Sequence, residues 1–295
     1  MFSKKDKGPL GSEASSPAKR RKVNIERRFT IISQFAQGSM STVYRALDNE
    51  TGRTICLKVQ HTEKTNAAKA RAVKVGRLSE GEIAMRIVHP NVVRTFEFGE
   101  TTKNDYYIVM EFIDGVSVQY LRESKTLQQD HKLDLIIQAA EGLAAVHATG
   151  FIHHDFGPKN LLVGREHNLK LIDFGLAVPN TPDFRKPGNR TGTLNYMAPE
   201  LLRREPTDER IDIFSFGVMA FELYTDRLPY DATNQMAVML TRINSDPMDP
   251  ARANPKLSRE LCAFLKKVTA RHRKDRYSSM TEVIQALKAL PASET

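Results

Sequence analysis

The stretch that most constrains this chain runs from Phe151 to Gly175, FIHHDFGPKNLLVGREHNLKLIDFG. It carries Asp155, then Asn160, then Asp173 within Asp-Phe-Gly. Two apolar runs, LLV and LKLID, are split by the polar turn GREHN, which reads as loop, strand, turn, strand, loop. A hairpin of this kind returns both loops to one end of the strands. Asp155, Asn160 and Asp173 can then converge on one point. An amide and a carboxylate together suit Mg²⁺, which keeps few protein ligands and takes the rest from phosphates and water. The other carboxylate is left to accept a proton. A plain surface hairpin would use the same residues only as caps and turns, so the rest of the chain must decide.

These residues resemble the protein-kinase catalytic loop, H-R-D-L-x-x-x-N, followed by D-F-G. The resemblance implies that Asp155 orients a substrate hydroxyl and takes its proton, while Asn160 and Asp173 hold Mg²⁺ on the phosphates of ATP.

The chain has 295 residues, 40% hydrophobic and 27% charged, ordinary for a globular protein with a core. No apolar run reaches the length of a membrane span and no signal-peptide core follows the N-terminus. Cys56 and Cys262 are far apart and show no metal spacing, which fits a reducing compartment. A cytoplasmic protein without membrane partners is expected. Part of the net charge of +9 sits in the first 28 residues, so it describes an arm more than a domain, and nucleic acid is not an expected partner.

Residues 1–28 read as a disordered basic tail, rich in Lys, Arg, Ser, Pro and Gly. Within it PAKRRKV resembles a short nuclear-localisation signal, and GPLGS resembles a cloning scar. From Phe29 the pattern turns to strands: FTIISQFAQ, TVYRALDN and TICLKVQ, with alternation that fits half-buried antiparallel pairs. The loop between the first two lies where kinases carry the Gly-rich loop G-x-G-x-x-G-x-V. With Val43 fixing the register, only Gly38 matches; Ala36 and Ser41 replace the outer glycines. The resemblance places Phe35, Ala36, Gln37, Gly38, Ser39, Met40, Ser41 and Val43 over ATP. Alternation puts Ile55 and Leu57 on one strand face and Cys56 and Lys58 on the other. By the resemblance Cys56 lines the adenine roof and Lys58 reaches the α- and β-phosphates.

Residues 63–88 read as one helix. The family pairs a helix glutamate with the strand lysine; counting back from HPNVV selects Glu80, with Glu82 as the alternative. Ala84 is small where the family places a larger residue, which implies loose packing or a closer helix. VVRTFEFGET and YYIVMEFIDG read as a strand pair ending in a hinge. The resemblance puts Met110 at the gatekeeper position, the backbone of Glu111 to Ile113 against adenine, and Leu162 among the residues that bind ATP. Asp130 to Thr149 is an amphipathic helix with His147 in its apolar stripe, ended by Gly150.

After Asp-Phe-Gly comes an exposed loop rich in Pro, Gly, Asn and Thr, and then GTLNYMAPE, which is close to the kinase P+1 segment and A-P-E. The resemblance implies that Thr193 touches Asp155, that Glu200 pairs with Arg276, and that Asp212, in DIFSFGVMAFELY, braces the catalytic loop. Further helices are expected near 233–245, 257–270 and 279–289. The fold class is therefore α+β, a two-lobed kinase-like fold with an antiparallel-sheet N-lobe at 29–113 and a helical C-lobe at 114–291. Aminoglycoside-phosphotransferase-like enzymes share the H-x-D-x-x-x-x-N stretch but lack GTLNYMAPE and Asp-Phe-Gly, so a protein substrate is expected.

Two departures bear on activity. His154 replaces the arginine that clamps an activation-loop phosphate, and it lacks a guanidinium fork. Gly157 stands where serine/threonine kinases place a lysine toward the γ-phosphate, while Lys159 lies where receptor tyrosine kinases carry an arginine. Lys159 is either a replacement for that charge or a solvated loop lysine. The expected function is serine/threonine phosphorylation of a protein by ATP. The alternative, drawn from Ala36, Ser41, Gly157 and Ala84, is a pseudokinase that binds without transfer.

Overall fold

Strand-forming residues from Phe29 onward build a five-stranded sheet. The computed structural model describes residues 22–37, 41–61, 78–187, 191–230 and 234–291. A short helix α1 (Ile25–Arg28) leads into β1 (Phe29–Gln37), β2 (Ser41–Asp48) and β3 (Arg53–Gln60). Helix α2 (Glu80–Ala84), β4 (Thr95–Glu100) and β5 (Tyr106–Glu111) follow. The strand order is β1-β2-β3-β5-β4, with every neighbouring pair antiparallel. Ile55, Leu57 and Val59 turn to a buried face with Phe29, Ala46, Tyr107 and Val109. Cross-strand pairing sets Val43, Lys58 and Ile108 in one row and Arg45, Cys56 and Met110 in the next, on the opposite face.

Two sequence expectations need correction. The tail was expected to run to residue 28, but residues 22–28 fold onto the sheet. Val23 pairs with Thr101 in a parallel bridge, and Arg28 bonds both Asp48 and Glu97. One half-buried side chain shared between these carboxylates anchors a segment whose composition alone reads as solvated. Residues 1–21, including most of PAKRRKV, lie outside the described residues.

The helix expected over 63–88 is described only as Glu80–Ala84, and 62–77 lie outside the described residues. Its start is set by a capping box: Glu82 N–H donates to the Ser79 hydroxyl, and Ser79 N–H donates to the Glu82 carboxylate at 2.7 Å. Ser79 has extended backbone, so no helix runs through it from residue 63. Ala84 is buried in the main core at 2% exposure, so its small side chain is accompanied by close packing.

Beyond the hinge come β6 (Gly115–Ser117), α3 (Val118–Glu123), α4 (Gln129–Ala148) and β7 (Phe151–Ile152). Gly150, at φ +83°, ends α4 in the left-handed region that favours glycine. The hairpin read from LLV and LKLID is β8 (Leu161–Gly164) and β9 (Leu169–Leu171), and β10 (Val178–Pro179) pairs back to β7. The remaining helices are α5 (Pro199–Leu202), α6 (Arg210–Thr225), α7 (Gln235–Asn244), α8 (Pro250–Ala253), α9 (Arg259–Val268) and α10 (Met280–Lys288). Residues 211–225 of α6 are all buried, so it is a helix packed on every side, the pillar of the second lobe. The lobes join through Asn91 to Val93: Leu171 N–H donates to Asn91 O, and Val93 N–H donates to Leu171 O.

Candidate active site

The cleft between the lobes collects the residues singled out from the sequence. Lys58 Nζ lies 2.7 Å from Glu80 Oε1 and 3.1 Å from Asp173 Oδ1. Burial works against the ammonium charge, but Glu80 and Asp173 outweigh it and hold the Lys58 pKa above that of a free lysine. Glu80, not Glu82, is thus the partner; Glu82 is spent on the capping box. Gln60 donates to the other Glu80 oxygen at 2.7 Å, a contact the sequence reading missed. Gln60 alternates with Lys58 on β3, and that two-residue spacing was the available signal.

Asp155 is 12% exposed and surrounded by donors. Its Oδ1 accepts both the backbone N–H and the hydroxyl of Thr193, each at 2.8 Å. Lys159 Nζ lies 2.9 Å from Oδ2. Asn160 Nδ2 donates to Asp155 O at 2.8 Å and to Oδ2 at 3.3 Å. Asn160 O in turn accepts the N–H of Ile172, the residue before Asp173. Asp155, Asn160 and Asp173 therefore stand in one connected group that reaches Lys58.

The supporting contacts come from α6. Asp212, wholly buried, accepts His153 N–H at 2.7 Å, His154 N–H at 2.9 Å and a contact from His147 Nε2 at 2.9 Å. Burial would raise the Asp212 pKa, but the His147 hydrogen bond and the neighbouring imidazoles hold it below the usual carboxylate range. His147, read as a core residue, has this carboxylate as its partner. His153 is buried edge-on to Phe174, and burial lowers its pKa. His154 and Asp173 both have left-handed backbone, at φ 66° and 65°.

The segment after Asp-Phe-Gly closes the acceptor side. Gly192 sits at φ +114°, and a Cβ there would come within 2.5 Å of His154 O, so only glycine lets Thr193 reach Asp155. Glu200 and Arg276 form a bidentate pair at 2.6 and 2.8 Å, both buried. Arg242, with no exposed surface, donates to the carbonyls of Leu194, Asn195 and Met197 and so pins the turn after Thr193. Burial, with no carboxylate beside it among the described residues, pushes its pKa down to about 10. The sequence reading did not find Arg242, because an arginine that serves carbonyls has no charged partner to betray it.

On the nucleotide side, Val43, Cys56 and Met110 face the cleft with Lys58, and Leu162 is half-buried between Leu161 and Val163. Burial pushes the Cys56 thiol up to about 11. Phe35 is exposed and stacks on Phe112 of the hinge at 5.7 Å. Ser41 begins β2, and Ala36 and Gln37 end β1 opposite Val43 and Thr42. Gly38, Ser39 and Met40 lie outside the described residues. Glu111 N–H donates to Arg94 O, and its carboxylate takes Lys170 Nζ at 2.8 Å, whereas Ile113 N–H makes no hydrogen bond among the described residues.

The donor set fits Mg²⁺. Among the described residues no three His, Cys, Asp or Glu side chains cluster to hold a metal. Asn160 commits its nitrogen to Asp155, which presents the amide oxygen, and Asp173 is 44% exposed. One amide and one carboxylate leave most of an octahedron to phosphate and water.

A sheet lobe and a helical lobe, with a lysine–glutamate pair facing an Asp–Asn–Asp group across the cleft, define a phosphotransferase-type architecture. Residues 29–287 match the family model described as protein kinase domain, and the chain belongs to that family. It is 29% identical to "Probable serine/threonine-protein kinase pknA2" of Bifidobacterium longum over 84% of this chain and 33% of the relative. It is 31% identical to serine/threonine-protein kinase pkn2 of Myxococcus xanthus over 90% of this chain and 32% of the relative. With serine/threonine-protein kinase PrkC of Bacillus subtilis the identity is 26%, over 90% and 40%. The chain thus spans about a third to two fifths of the length of these relatives. Among the described residues no helix is long and apolar enough to cross a membrane.

Proposed function

We propose that the chain is the catalytic domain of a serine/threonine protein kinase that transfers the γ-phosphoryl group of ATP to a protein hydroxyl. The observation that carries this reading is the set of contacts on Asp155. One oxygen is held by Thr193 and the other faces Lys159, in a group that includes Asn160 and connects to Asp173 and Lys58.

In this reading Lys58, steadied by Glu80, binds the α- and β-phosphates. The cleft face of Val43, Cys56, Met110 and Leu162 takes the adenine, and the free Ile113 N–H meets its edge. Asn160 and Asp173 would hold Mg²⁺, which when bound neutralises charge on the phosphates. Asp155 orients the serine or threonine hydroxyl and receives its proton. The hydroxyl oxygen bonds to the γ-phosphorus as the bond to the bridging oxygen breaks and ADP leaves. Lys159 supplies the cation that Gly157 cannot. No observation favours the pseudokinase reading, since the proton acceptor, both metal-site residues and the paired lysine are retained. ATP dependence and the free thiols of Cys56 and Cys262 suit a cytoplasmic domain.

The test is transfer of radiolabel from ATP to a generic protein substrate, wild type beside Asp173→Ala. Label on serine and threonine that falls by on the order of 10³ in the variant supports the reading. Equal labelling by both, or none by the wild type with Mg²⁺ present, refutes it.

A further inference from the structure

Behind the acceptor segment lies a carboxylate that the mechanism does not use. Glu222, on α6, is 6% exposed, and both of its oxygens are taken. Arg122 Nη1 donates to one and Tyr196 Oη to the other, each at 2.6 Å. Tyr196 leads directly back to the site. It closes the turn that begins at Thr193, and its ring lies beside Gly157, where an added Cβ would stand 3.4 Å away. Helix α3, which carries Arg122, packs on the turn that bears Lys159. Arg122 is 25% exposed, so it enters the niche from the surface. Among the described residues its other carboxylate contact is Glu123, at 3.5 Å.

A guanidinium donating to a buried carboxylate is the contact a basic residue of a substrate would make. Here the chain makes it with its own side chain. Lys159, 46% exposed at the acceptor carboxylate, adds a like charge that an incoming basic residue would also meet. We infer that Arg122 is a specificity-determining residue. It fills the Glu222 niche, and the domain therefore accepts protein segments without selecting an arginine beside the phosphorylated hydroxyl. The inference rests on the kinase reading above and deepens it by naming what the substrate lacks.

The experiment compares acceptor peptides with neutral flanks against peptides carrying one arginine at each flanking position in turn. In the wild type no arginine should raise kcat/KM by more than about twofold, the size of an exposed charge effect. In Arg122→Ala one position should gain about tenfold or more, the worth of a charge-assisted bond to a vacated carboxylate. Added guanidinium should compete that gain away, and Glu222→Gln in the same background should abolish it. A purely structural ion pair would lower stability and slow all peptides alike, leaving the ratios unchanged, and that result overturns the inference.

Should Arg122→Ala fail to fold, Arg122→Gln, which keeps a neutral donor over the buried carboxylate and removes the guanidinium, is read in its place. One flanking arginine should gain about threefold or more there, and ratios equal to those of the wild type overturn the inference. Peptide binding by fluorescence anisotropy is read beside transfer. Peptides that bind with the expected pattern but receive no phosphate refute the kinase reading alone, and a pattern absent from both measurements refutes the assignment of Arg122.

Discussion

Lys159→Ala tests whether Lys159 replaces the absent catalytic-loop lysine. Lys159 Nζ is 2.9 Å from Asp155 Oδ2, yet the side chain is 46% exposed. An exposed pair of this kind contributes at most about 1 kcal/mol to folding. The melting temperature should therefore fall by no more than about 2–4 °C. The effect on rate is of another order. A cation fixed beside the acceptor carboxylate meets charge that builds on the transferring phosphoryl group, and losing one such donor costs roughly 10²–10³ in kcat. The KM for ATP should move by less than about threefold, since an interaction made only in the transition state leaves ground-state binding alone.

Gly157 supplies the control for Lys159. Its backbone is extended, at φ 175°, and an added Cβ would lie 3.4 Å from the Tyr196 ring, an ordinary contact. Lysine therefore fits there, and Gly157→Lys combined with Lys159→Ala should regain about tenfold or more of the lost rate. Steady-state kinetics with saturating acceptor reads all of these. If Lys159→Ala keeps its full kcat while Asp155→Ala abolishes transfer, the charge-replacement argument is wrong.

Activity should not depend on activation-loop phosphorylation. His154 offers no guanidinium, and the loop is held without phosphate by Asn180 Nδ2 to Glu209 at 2.6 Å and Arg185 Nε to Asn180 at 2.8 Å. A large loss of rate on phosphatase treatment, restored by autophosphorylation, counts against this. Arg276→Met strands the buried Glu200 carboxylate and should cost about 3–5 kcal/mol, read by denaturant unfolding, with partial recovery in Glu200→Gln/Arg276→Met. Arg242→Met removes the donor from three carbonyls behind Thr193. It should raise KM for the protein acceptor about tenfold or more while KM for ATP holds. His153 is buried with its pKa lowered, so the unfolded chain binds the extra proton first. Its contribution is complete above the unfolded value of ~6.5 and declines as pH falls below it, by at most about 1.4 kcal/mol per unit, and His153→Leu should flatten the fall of stability with pH below about 6.5.

Much of this was legible before any coordinates. Alternation in FTIISQFAQ, TVYRALD and TICLKVQ marks β1 to β3 because a pleated strand with one wet face must alternate. The hairpin at 161–171 was readable because two short apolar runs flank a polar turn. The helix over 63–88 was not, because charge content and length suggest a helix but do not locate its start. The start belongs to Ser79 and Glu82, a local hydrogen-bond choice that also settles Glu80 against Glu82. The tail boundary failed for a related reason: Arg28 reads as one more basic residue until Asp48 and Glu97 are seen beside it.

What the sequence could not display is how the strained parts are held. His154 and Asp173, at φ 66° and 65°, each sit in a region that costs a non-glycine residue on the order of 1 kcal/mol. Each is held by partners far away in the chain. Asp212 takes the His154 N–H from α6, and Lys58 on β3 holds the Asp173 carboxylate. Thr193 depends on Gly192 for its approach and on Arg242 for the turn that follows. The loops that carry the chemistry therefore draw part of their geometry from two wholly buried side chains outside them, Asp212 and Arg242. A substitution at either should thus disturb the acceptor site more than its distance from the cleft suggests, and Arg242→Met, with an acceptor-specific change in KM, separates that positional effect from a general loss of stability.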